Sequence, residues 1–125
     1  MRLIIFDIDG TLANTDYEKD LCYAEAFHEV VGRSLEGLEY KSCRHVTDSA
    51  ITDHFYQQLY QRNALPEEVE ALKQSFRQKM EAKYLTHPHF FEEIPGAGAT
   101  FRQLMQLPDV HLGIATGAWR HPALF

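Results

Sequence analysis

The sequence predicts an α/β chain, and three observations predict it. The apolar run Leu3-Ile4-Ile5-Phe6 opens the chain and stops at an acidic turn, Asp7-Ile8-Asp9-Gly10-Thr11. A second apolar run, Val110-His111-Leu112-Gly113-Ile114-Ala115, ends in Thr116-Gly117. Between the two, apolar residues recur mostly at helical spacing, interrupted by glycine and proline. A strand, a long crossover and a second strand form one parallel unit, because parallel strands cannot be joined by a tight hairpin.

Each element has its own signal. Residues 2–6 read as the first strand and Leu12 to Thr15 as a loop. A helix begins at Asp16; Tyr17, Leu21, Ala24, Phe27 and Val31 mark its apolar stripe and Gly32 its stop. Arg33 to Arg44 is poorly patterned and reads as a loop. Thr47-Asp48-Ser49 offers three good helix-capping types, followed by a stripe of Ile51, Phe55 and Leu59. Pro66 opens a third helix, with Glu67 and Glu68 in the first turn, where acids favour the helix dipole. Its stripe is Val69, Leu72, Phe76, Met80 and Tyr84, expected as core. His87-Pro88-His89 and Pro95-Gly96 then break the chain. A helix over Gly98–Gln106 follows, with Phe101, Leu104 and Met105 inward and Pro108 as its stop. The second strand spans 110–115, and Gly117 leads into the opening turn of a further helix.

Composition narrows the function classes. The chain has 125 residues, room for one ordinary domain or two very small ones. It is 45% hydrophobic and 24% charged, an ordinary globular mix. A net charge of -6 argues against a broad phosphate-backbone footprint, so no nucleic-acid partner is expected. No apolar run is long enough to span a bilayer, and the N-terminus enters its strand without a signal-peptide pattern. The expected setting is therefore cytoplasmic, with Cys22 and Cys43 reduced.

The chemistry sits at the strand ends. In open α/β sheets ligands bind at the carboxyl ends of strands. Two carboxylates two residues apart, Asp7 and Asp9, with Gly10 turning the chain, suit a hard cation such as Mg2+ and one nucleophilic oxygen.

Asp7-x-Asp9-Gly10-Thr11 resembles motif I of the haloacid-dehalogenase-like (HAD) phosphohydrolases, and the strand ending in Thr116-Gly117 resembles their motif II. The helical segment between them lies where the helical-cap subclass inserts its cap, and Pro95-Gly96 resembles the phosphoglycolate-phosphatase-like branch. The resemblance implies a Rossmann-like parallel core from residues 1–15 and 91–125, with about two core strands present, and a cap over residues 16–90. It implies Asp7 as nucleophile and Asp9 as general acid and base. Mg2+ would be held by Asp7 and by the backbone carbonyl of Asp9. Thr116 and the Gly117 amide would bind the substrate phosphate; a plain helix cap is the other reading of Thr116.

Arg44, His45 and Thr47 fall where relatives place specificity residues, and Arg120 follows motif II; for all four a solvated surface position is the competing reading. His87 and His89 read as a polar hinge rather than a metal pair. The expected activity is a phosphatase acting on a small phosphorylated metabolite. A phosphomutase, or an inactive fragment or interaction module, are the alternatives. The family's further strands, its motif III lysine and its motif IV acids have no counterpart in these 125 residues, so the reading is a truncated chain with weak activity of its own.

Overall fold

The computed structural model describes residues 1–38, 43 and 46–120. Two strands, β1 (Arg2–Phe6) and β2 (Val110–Ile114), pair in parallel with Arg2 opposite Val110 and Phe6 opposite Ile114. The Ala115 amide donates to the Phe6 carbonyl at 2.9 Å and carries the ladder to the point where both chains leave the sheet. Four α-helices lie between the strands: α1 (Asp16–Val31), α2 (Asp48–Tyr60), α3 (Pro66–Thr86) and α4 (Ala97–Met105). A short 3-10 turn, Pro88–Phe91, links α3 to the return segment.

The helix ends follow from local chemistry. Gly32 closes α1 in the left-handed conformation, φ 75°, and its amide reaches the His28 carbonyl. Thr47 caps α2 by accepting from the Ala50 amide at 3.2 Å. Pro66 fills the first position of α3, where a missing amide costs nothing, and the Glu68 carboxylate accepts from the Leu65 amide at 2.8 Å.

The hydrophobic core lies among the first three helices. Cys22, Tyr23, Ala26 and Phe27 of α1 meet Phe55 and Tyr56 of α2 and Leu72, Phe76 and Met80 of α3. Tyr23 stands edge-on to Phe76 at 5.8 Å, and Phe27 edge-on to Phe55 at 5.8 Å, geometries that aromatic quadrupoles favour. Burial of the Tyr23 phenol pushes its pKa up, and its hydroxyl meets Thr52 Oγ1 at 2.7 Å. Ion pairs flank the α1–α3 seam: Lys83 to Glu18 at 3.3 Å and Lys79 to Glu29 at 3.2 Å.

The apolar stripe of α1 differs from the one its sequence suggests. Phe27 is buried as expected, but Tyr17 is 72% exposed and Leu21 lies at the surface. The buried face is Glu18, Cys22, Tyr23, Ala26 and Phe27. Small Cys22 and Ala26 let α1 approach α3 closely, and Lys83 neutralises Glu18 on that face. In α3, Tyr84 is 45% exposed and stands edge-on to Phe91, whereas Leu72, Phe76 and Met80 are buried. In α4, Phe101 faces the sheet, 5.6 Å from Phe6, but Met105 points outward.

One face of the sheet therefore packs on α4. Leu3 and Ile5 of β1 alternate onto the other side, where they are 64% and 58% exposed. Among the described residues no helix is long and apolar enough to cross a membrane. The helix expected after Gly117 falls largely in residues 121–125, outside the described residues.

Candidate active site

The acidic turn leaves β1 as a tight loop. The Ile8 carbonyl accepts from the amides of Thr11, Leu12 and Ala13, and the Gly10 amide returns to the Ala13 carbonyl at 2.8 Å. Gly10 holds φ at 74°, and a Cβ there would collide with the Asp16 carboxylate, so glycine satisfies both the backbone and the space. Two further bonds, Asn14 amide to Glu92 carbonyl and Ile94 amide to Leu12 carbonyl, tie the loop to the segment returning from α3.

This turn separates the two carboxylates by environment. Among the described residues none bonds to Asp7, which faces the cavity with both oxygens open. Asp9 is held on both oxygens. Thr15 Oγ1 donates to its Oδ1 at 2.5 Å, and Lys19 Nζ donates to its Oδ2 at 3.2 Å. Thr15 is also the capping residue of α1, yet its hydroxyl makes no cap bond and serves Asp9 instead.

Lys19 is shared. Its ammonium lies 3.2 Å from Asp9 and 3.4 Å from Asp48, and all three side chains are largely shielded from solvent. Burial lowers the lysine pKa, but Asp48 and Asp9 outweigh that effect and raise it above the ordinary lysine value. Asp48 also grips the chain beyond β2. Its Oδ2 accepts from the Trp119 amide at 2.8 Å, and its own amide donates to the Gly117 carbonyl at 2.9 Å. The Trp119 indole donates to Ser49 Oγ at 2.8 Å. A Cβ on Gly117 would collide with the Val46 carbonyl, so glycine is required for this close approach. Thr116 Oγ1 accepts from the Ala118 amide at 3.1 Å, which leaves its own hydrogen for another acceptor.

Asp7, Asp9, Thr116 and Gly117 thus line one cavity of about 550 Å³. Tyr23, Leu35, Leu38, Val46, Ile51 and Phe55 add apolar surface to its lining. Five carboxylates line it, those of Asp7, Asp9, Asp16, Asp20 and Asp48, against the single ammonium of Lys19 among the described residues. Burial, with the nearby Asp16 carboxylate, pushes the Asp20 pKa up.

In the sequence Asp48 stands out only as one of three helix-capping types, and nothing singles out Lys19. Their convergence depends on the loop after Asp9 folding back and on α2 docking beside β2, which no local spacing encodes. Thr47, considered for specificity, spends its hydroxyl on the α2 cap. Arg44 and His45 lie outside the described residues, and Arg120 is exposed. His87 bonds Thr86 through Nδ1 at 2.8 Å and stacks on Phe90 at 5.4 Å.

A parallel β-α-β unit thus sets paired acids at a strand end beside a cavity that the helices help to line. A model of the haloacid dehalogenase-like hydrolase family matches residues 4–123, and the chain belongs to that family. Solved structures share the fold, and two of them are similar to this chain. One is a predicted phosphoglycolate phosphatase from Haemophilus somnus 129PT, 17% identical, with a TM-score of 0.58 over 96% of this chain and 53% of that one. The other is a HAD hydrolase, family IA, variant 3, from Entamoeba histolytica HM-1:IMSS, 19% identical, with a TM-score of 0.60 over 93% of this chain and 49% of that one. The chain spans about half the length of each. No curated protein matches the sequence significantly.

Proposed function

We propose that this chain carries the site of a Mg2+-dependent phosphatase acting on a small phosphorylated metabolite, with residues 1–15 and 91–125 as core and 16–90 as cap. One observation supports this most: Asp7 is open to the cavity while its neighbour Asp9 is held by Thr15 and Lys19, with Thr116 and Gly117 lining the same cavity.

In this reading an Asp7 oxygen attacks phosphorus, the bond from phosphorus to the ester oxygen breaks, and Asp9 protonates that leaving oxygen. The phosphoryl group now rests on Asp7. Asp9, deprotonated, takes a proton from water as that water attacks phosphorus. Inorganic phosphate departs and both acids return to their starting forms. Thr116 donates its hydroxyl hydrogen to a phosphate oxygen, and the Gly117 amide donates a second hydrogen bond.

The donor set fits Mg2+. This ion takes hard oxygens and needs few protein ligands. Asp7 offers a free carboxylate; Asp9 offers its main-chain carbonyl, since its carboxylate is already engaged by Thr15 and Lys19. When bound, the ion offsets repulsion between the phosphate and a wall of five carboxylates, a lining whose negative charge Lys19 alone does not balance.

Turnover of p-nitrophenyl phosphate with Mg2+, and its loss on adding a chelator or on Asp7→Asn, is the expected result. Turnover retained by Asp7→Asn removes the proposed roles. A correctly folded protein that binds phosphate analogues without turnover favours the silent-module alternative.

A further inference from the structure

We propose that Lys19 is a positioning residue for this site, coupling the Asp9 carboxylate to the loop that bears Thr116 and Gly117; the inference rests on the phosphatase reading above. The ammonium sits between Asp9, at 3.2 Å, and Asp48, at 3.4 Å. Asp48 is bound in turn to the Trp119 amide and, through its own amide, to the Gly117 carbonyl. One continuous chain of ion pairs and hydrogen bonds thus runs from the proposed acid to the proposed phosphate loop by way of α1 and the first turn of α2.

Asp9 leaves a turn of glycine-dependent backbone, and its carboxylate has rotational freedom unless both oxygens are fixed. Thr15 fixes one and Lys19 the other. An ammonium donates three hydrogens from a point charge, so it can serve two carboxylates at once. The partners are poorly hydrated, with side-chain exposures of 15%, 20% and 11% for Lys19, Asp9 and Asp48, so neither carboxylate finds water as a full replacement. When Asp9 moves, Lys19 must follow, and Asp48 must readjust its hold on Trp119. The cap-side helices and the strand-end loop are then set together rather than separately.

Trp119 is the sole tryptophan and touches Asp48 and Ser49 rather than Asp9, so its amide is a remote reporter. In the full chain, Asp9→Asn is expected to shift the Trp119 amide resonance, and that shift is expected to vanish in a Lys19→Met background. Lys19→Gln serves as a second background should the methionine variant fail to fold. An Asp9→Asn shift that is absent, or that survives unchanged without Lys19, overturns the coupling.

Activity supplies an independent arm. With Asp9 misplaced, an alkyl phosphate, whose leaving oxygen needs its proton, is expected to lose at least tenfold more kcat than p-nitrophenyl phosphate. Lys19→Arg is expected to restore most of the loss. Equal losses on both substrates indicate a merely structural role and overturn the inference. Coupling without any Asp7-dependent turnover instead overturns the phosphatase reading and leaves the relay as a structural coupling only.

Discussion

Asp48 Oδ2 accepts the Trp119 amide at 2.8 Å, joining the first turn of α2 to the chain just beyond β2 across 71 residues of sequence. The same carboxylate faces Lys19 through its other oxygen, so one buried side chain closes the helical wall onto the strand ends.

Removing that carboxylate leaves the buried Trp119 amide without its acceptor, while Lys19 keeps Asp9 as its remaining partner. A buried donor left without its acceptor costs about 1–3 kcal/mol. Asp48→Ala is therefore expected to lower stability by an amount of that order, in denaturant unfolding followed by Trp119 emission. Asp48→Asn, which keeps an oxygen for the Trp119 amide, is expected to lose clearly less.

The two candidate faces of α1 are separable by truncation. Phe27 is fully buried among Tyr23, Phe55 and Tyr56, so Phe27→Ala is expected to cost about 3–5 kcal/mol. Tyr17→Ala removes a side chain that is 72% exposed, and a change within about 0.5 kcal/mol is expected. Paired unfolding curves decide it; a large loss at Tyr17 places the core on the other face.

Gly113 and Gly117, four residues apart, make opposite demands. A Cβ on Gly113 meets only Ile5 Cγ1 at 3.8 Å, an ordinary contact. A Cβ on Gly117 meets the Val46 backbone carbonyl, which cannot rotate aside. Gly113→Ala should leave melting temperature and phosphate-analogue binding nearly unchanged. Gly117→Ala should push the loop away from Val46 and weaken analogue binding at least tenfold, read by calorimetry with tungstate.

Acid sensitivity follows from Glu68. The hydrogen-bonded Arg62 guanidinium lowers its pKa from 4.5 to about 2. A depressed folded-state value means that the stabilisation is complete above about 4.5 and is lost as pH falls towards about 2. Glu68→Gln should therefore unfold more easily than the parent at neutral pH, with the two curves converging across that interval. The pair is partly exposed, so the difference is small.

Much of the fold was legible because its signals are local. The acidic turn after an apolar strand, the capping Thr47, the Pro66 start and the Gly32 stop each act within a few residues, and the helices begin and end near them. The stripe of α1 was not legible, since two overlapping sets of apolar residues fit a 3.6-residue period. Only packing against α3, where small Cys22 and Ala26 permit close approach, selects between them. Asp7, Asp9, Thr116 and Gly117 stood out because motifs announce them. Lys19, Asp48 and Trp119 did not, because their meeting is a product of tertiary closure between segments up to 100 residues apart.

The most direct measurement is peptide mapping of acid-quenched protein after incubation with p-nitrophenyl phosphate and Mg2+. A phosphoryl group is expected on the peptide containing Asp7, with a fall in turnover of about a thousandfold or more in Asp7→Asn. Turnover with no label on that peptide, matched by an Asp7→Asn variant as active as the parent, contradicts it.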